Sequence, residues 1–255
     1  MKKLLLSTVA VFALASAASA ADIGGEVTLD FAENEAGNWA GTAGLELIVY
    51  PSATTGVALG FLATPGEDFT LDTWTVGAAL GYVNVFLGND NSVFVEGEGG
   101  QTLSLPTMTE SIKIEAAGAS VALGFTDWGS DISDISNIQG AYTLAMGNLS
   151  TTISADYNME AEDFVIGTAI SGVEVASVNL GTVVTYDNAS SSIGYEAIAK
   201  LSGITAYVNG DDSEMLQNVG GEYVYSLGKA DLTAGAVYNF DSEEFIPKVG
   251  LTFAF

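Results

Sequence analysis

The sequence predicts an all-β protein, a transmembrane antiparallel β-barrel of roughly sixteen strands (fourteen at the fewest) with short periplasmic turns and acidic external loops. Three observations predict it. Apolar residues recur at every second position through most of the chain, the period of a strand with one covered face. The positions between them carry Gly, Thr, Ser, Asp and Glu rather than the bulk a packed sandwich core requires. Tight turns, most containing glycine, alternate with longer, acid-rich connections. In hydrocarbon every backbone polar group must be paired within the protein, so a sheet without an open edge is the form such a pattern takes.

The N-terminal segment stands apart. Met1-Lys2-Lys3 is a short positive start, Leu4 to Ala15 an uncharged apolar run, and Ala18-Ser19-Ala20 a small-x-small cleavage site. Residues 1–20 are therefore expected to be an export signal and 21–255 the barrel domain. The apolar run is shorter than the ~20 residues a spanning helix needs. Removing the signal takes the formal net charge from −26 to −28, because it holds two of the six lysines and no acid.

Along the rest of the chain the strands read in order. Val27, Leu29 and Phe31 alternate with Glu26, Thr28 and Asp30. Ala43, Leu45, Leu47 and Val49 share one face, with Thr42, Gly44 and Glu46 on the other. Val57, Leu59 and Phe61 repeat the pattern, as do Trp74, Val76, Ala78 and Leu80. Leu47–Gly66 and Ile135–Ala155 are uncharged and long enough to span as helices, but both alternate and are rich in Gly, Ser and Thr, so they are read as strands. Tight turns fall near Pro51, Gly81, Gly118, Gly147, Gly203 and Gly228, and between Gly172 and Gly181. The longer connections are Glu33–Asn38, Ala63–Asp68, Asn89–Glu110, Asp127–Asn137, Asn158–Glu162, Asp187–Ser192, Gly210–Asn218 and Asp241–Glu244. Seven short and eight long connections imply sixteen strands, with both chain ends on the short-turn side. Trp39, Tyr50, Trp74, Tyr157 and Phe255 lie near strand ends, where aromatic girdles are expected.

Composition excludes much chemistry. All six cations are lysines, and there is no Arg, His or Cys. That removes a thiol nucleophile, a Ser–His pair, a His-ligated zinc and a bidentate phosphate clamp. An acidic pI near 4.1 argues against nucleic acid as a partner. No enzyme activity and no cofactor are expected. Asp211-Asp212-Glu214 and Asp241-Glu243-Glu244 supply oxygen donors for weak Ca²⁺ or Mg²⁺ binding, but they lack the EF-hand spacing and read better as solvated loops.

At the C-terminus Val249, Leu251, Phe253 and the terminal Phe255 alternate up to a final aromatic. This strand resembles the C-terminal strand of outer-membrane barrels, and with the signal and the turn pattern the chain resembles the general bacterial porins. The resemblance implies a trimeric channel in the bacterial outer membrane, in contact with lipid and lipopolysaccharide and assembled by the barrel-assembly machinery through Val249, Leu251, Phe253 and Phe255. It further implies that residues 89–110 fold into the lumen as a constriction loop, with Asp90, Glu96, Glu98 and Glu110 at the narrow point. Alternation places Glu26, Asp30, Glu46, Lys113 and Glu115 on the lumen wall. Members of the family often set arginines against the constriction loop, and this chain has none. The expected function is passive diffusion of small hydrophilic solutes and ions with a preference for cations. The alternative is a barrel without a channel, serving adhesion or structure.

Overall fold

In a computed structural model the chain forms a closed ring of sixteen antiparallel strands, each bonded to its sequence neighbours, with the first bonded to the last. The structure describes residues 22–33, 39–52, 54–63, 70–89, 91–95, 110–126 and 135–255. The expected signal, residues 1–20, lies outside them, as do most residues of the connection between the fifth and sixth strands.

The strands are β1 (Asp22–Glu33), β2 (Trp39–Ser52), β3 (Thr55–Ala63), β4 (Thr70–Leu80), β5 (Val83–Gly88), β6 (Glu110–Ala116), β7 (Ala119–Phe125) and β8 (Ile135–Met146). They continue as β9 (Leu149–Asn158), β10 (Asp163–Val175), β11 (Val178–Asp187), β12 (Ser192–Leu201), β13 (Ile204–Asp211), β14 (Asn218–Ser226), β15 (Ala230–Asn239) and β16 (Glu244–Ala254). The short connections join β2–β3, β4–β5 and so on to β14–β15, at each place the sequence marks. The tightest are built for the hairpin twist. Ala117 and Gly118 both have positive φ (49° and 83°), as do Ser202 and Gly203 (46° and 83°). Two such residues in succession match the right-handed twist of the flanking strands.

The ring closes where β1 meets β16, in register from Glu26 opposite Ala254 to Ala32 opposite Lys248. Beyond that register the Phe255 backbone donates to the Gly25 carbonyl at 3.0 Å, and the Gly25 amide donates to the Phe255 carbonyl at 3.3 Å.

Burial is inverted relative to a water-soluble domain. The large side chains that are fully buried are polar, among them Gln139, Asn91, Asn209, Thr185 and Glu196. Many large apolar side chains are exposed: Tyr142 is 53% exposed, Ile153 56%, Met146 60% and Phe245 66%. These residues sit on the outward positions of their strands. Near the long-loop end the outward aromatics include Phe31, Tyr157, Phe164, Tyr186 and Phe245; near the short-turn end they include Tyr142, Tyr223, Tyr225 and Phe253. Two aromatic rings of this kind, separated by Leu, Ile and Val, fit a hydrocarbon slab with its two interfaces. Two of the expected girdle aromatics differ. Tyr50 shares the inward face of Glu46 and Ile48 and its ring lies 3.3 Å from the space above Gly56. Trp74 is outward but mid-wall, opposite Leu59.

Candidate functional site: the lumen wall

Registers carried around the ring fix which residues face inward. Glu46 stands opposite both Glu26 and Gly60. Lys113 stands opposite Phe86 and Ala122, and Ala122 opposite Gln139. Gln139 stands opposite Asp156, and Asp156 opposite Val165. The inward face therefore holds Glu26, Asp30, Glu46, Lys113 and Glu115, the residues that alternation assigns to it. Glu26 and Glu46 are direct cross-strand neighbours of like charge. Lys113 is held to the wall: its Nζ lies 3.2 Å from Glu115 Oε1 and 4.6 Å from the centre of the Phe86 ring. A lysine engaged in this way projects little uncompensated positive charge into the lumen.

Of the expected constriction residues, Asp90, Glu96 and Glu98 lie outside the described residues. Glu110 does not join the inward group. It begins β6, and alternation puts it with the outward Ile112 and Ile114, opposite to Ser111, Lys113 and Glu115.

The start of the same connection does turn inward. Asn91 Nδ2 donates to the Ser111 carbonyl at 3.4 Å. Gln139 Oε1 accepts from Ser92 Oγ at 2.9 Å and from the Val93 amide at 3.0 Å. The Val95 amide donates to Ser154 Oγ at 3.1 Å. Phe94 and Val95 are buried against Val183, with Val165, Ala169 and Ile198 around them. Residues 91–95 thus leave β5 and lie along the inner wall from β6 to β12. In a ring of sixteen strands, the acids of β1 and β2 stand across the lumen from β9 and β10.

Gln139, Ser154, Gly167 and Val183 are not among the residues that the sequence reading singles out. The available signal is a local failure of alternation. From Val165 to Ile170 both faces of β10 are free of charge, and the inward Val165 and Ala169 are apolar.

The acid-rich outer loops are organised by their own hydrogen bonds. Asp211 Oδ1 accepts from the Ser213 amide, Ser213 Oγ and the Glu214 amide at 2.8, 2.6 and 2.8 Å, and Oδ2 accepts from Gln217 Nε2 at 2.7 Å. Asp212 Oδ1 accepts from the Ile193 amide at 3.0 Å. Glu214 is held above its ordinary value by a hydrogen bond to Asp241 and by the negative charges of Asp241 and Asp211. Among the described residues no three carboxylates converge on a common point.

No family model and no curated protein matches the chain. Solved structures do match. A mutant of the Rhodobacter blastica porin superposes with TM-score 0.70 at 13% identity, over 92% of this chain and 100% of that one. The fold is that of the bacterial porins. The porin fold recurs with the anion-selective porin of Comamonas acidovorans, at TM-score 0.58 and 13% identity over 92% of this chain and 99% of that one. It recurs again with Pseudomonas putida OprB, at TM-score 0.62 and 10% identity over 92% and 93% of the two chains. At such identities the shared feature is the sixteen-strand architecture, and the lumen chemistry belongs to each chain separately.

Proposed function

We propose that this chain is an outer-membrane porin, a non-enzymatic, water-filled channel for passive diffusion of small hydrophilic solutes and ions. The inverted burial carries the reading: apolar side chains and two aromatic girdles outside, while the largest fully buried side chains are polar. A ring of sixteen strands is wide enough to leave an aqueous lumen. Outer-membrane lipid, lipopolysaccharide and the barrel-assembly machinery are its proposed contacts, and a trimer its proposed assembly.

The channel is further proposed to prefer cations. Glu26, Asp30 and Glu46 line one wall, and the inward Lys113 is engaged by Glu115. Charge of one sign on the wall of a narrow pore concentrates the opposite ion. The anion-selective Comamonas porin has the same fold, so the architecture alone does not carry the cation preference, which rests on the wall charges of this chain. Asp90, Glu96 and Glu98 are proposed to add to the negative field at the constriction.

Reconstitution into a planar bilayer under asymmetric KCl tests both statements. Stepwise conductance with a reversal potential of the sign for K⁺ is expected. A silent bilayer favours the barrel without a channel, and a reversal of Cl⁻ sign removes the cation preference. Neutralising Asp90, Glu96 and Glu98 together should weaken K⁺ preference more than neutralising Asp211, Asp212 and Glu214. Equal effects would remove the proposed constriction.

A further inference from the structure

Gly167 leaves a hole in the inner wall of β10, and the hole is filled. A side-chain carbon at this position would collide with Val95 Cγ2 and would come within 2.9 Å of Phe94 Cζ and 3.0 Å of Phe94 Cε1. Around the hole the inward residues Val165, Ala169, Val183 and Ile198 form an apolar island packed against Phe94 and Val95. Gln139 and Ser154 flank it and accept hydrogen bonds from Ser92, Val93 and Val95. Apolar side chains facing an aqueous lumen are unfavourable unless something covers them, and an amide withdrawn from water needs an acceptor. Residues 91–95 meet both requirements at once.

We infer that Gly167 and the Gln139–Ser154 acceptor pair form a dock that fixes the start of the 89–110 connection against the wall and thereby sets the pore cross-section. Gly167 and Gln139 are positioning residues; they act on the passing solute through the segment they hold. The pore-setting role rests on the channel reading above, whereas the dock itself does not. Replacement of Gly167 by a larger residue pushes residues 94–95 off the wall toward the axis. Loss of the Gln139 acceptor frees the amide of Val93 and lets the segment move between seated and unseated positions.

Two measurements test this. The chain has no cysteine, so paired replacements report proximity without background. Val95→Cys with Gly167→Cys places two thiols within reach of a disulfide, whereas Val95→Cys with Gly44→Cys, on the β2 wall across the ring, does not. Mild oxidation of the folded protein in detergent should cross-link the first pair and not the second. Failure of the first pair to cross-link overturns the dock whether or not the protein conducts.

The second measurement is single-channel conductance. Gly167→Val should lower unitary conductance by about twofold or more, while Gly44→Val, which adds the same volume where the nearest side-chain carbon is 3.7 Å away, should leave it near wild type. If Gly167→Val does not accumulate, Gln139→Leu is read instead, with frequent sub-conductance steps expected. Cross-linking together with equal conductance of the Gly167 and Gly44 variants overturns the pore-setting role. A silent wild-type channel overturns the channel reading and that role with it, and the cross-link still reports the dock.

Discussion

A single step along β2 reverses what a charge does. Leu45 faces outward between Val27 and Phe61, and Glu46 faces inward opposite Glu26. Leu45→Lys puts an ammonium into the apolar belt and should cost roughly 2–4 kcal/mol near mid-slab. Glu46→Lys turns a like-charge cross-strand pair into an opposite-charge one, so it should gain a few tenths to about 1 kcal/mol and shift the reversal potential toward Cl⁻. Denaturant unfolding of the reconstituted barrels measures both, and opposite phenotypes would mean the register is off by one residue. Glu214 gives a pH signature outside the slab. Its value is raised in the folded state, so its contribution is present in full below the ordinary carboxylate range and is lost as pH rises through the raised value. Protease nicking between residues 212 and 217 should therefore be slowest in acid and speed up as Glu214 ionises, and Glu214→Gln should remove most of that dependence.

At the scale of the strand, the sequence is unusually readable, for a physical reason. A wall with lipid on one side and water on the other imposes period two, interrupted by register shifts between β2 and β3, β3 and β4, β7 and β8, and β10 and β11, and each hairpin needs its own turn chemistry. Gly118, Gly147 and Gly203 could therefore be placed as turns directly from sequence, each with positive φ. Between Gly172 and Gly181 the sequence marks a turn without fixing its residues, because a register shift between Ile170 and Val173 precedes it and the turn falls at Ala176 and Ser177 rather than at a glycine. Glu110 and Tyr50 are not placed by sequence alone, because a position near a strand end says little about which face a residue occupies until the strand's limits are known. The dock is not legible in the sequence, because it depends on contacts between residues more than forty apart, such as Ser92 with Gln139, which alternation does not encode. For β16 the expectation is concrete. Deleting Phe255 removes the aromatic and the two backbone bonds to Gly25, and outer-membrane levels of the variant should fall well below wild type in a fractionation experiment.

For the whole molecule, charge acts through its ionic surroundings. The Debye length is ~10 Å at 0.1 M salt and ~3 Å at 1 M, so K⁺ preference should be strong in dilute KCl and fade in concentrated KCl. A preference that held unchanged across that range would point to direct coordination of the ion by the wall rather than to a diffuse field. The seam between β1 and β16 carries a different consequence. Every other strand pairs with its neighbour in sequence and can form as the chain arrives, but Glu26 must find Ala254 across nearly the full length of the polypeptide. Closing so long a loop is the slowest kind of contact to make. Until it is made, β1 and β16 are two raw edges with unpaired amides and carbonyls, open to other chains. The arrival of β16 at β1 therefore decides when the ring shuts. Before then the protein is most exposed to aggregation, and a helper that holds those two edges apart from strangers would gain the most at this step.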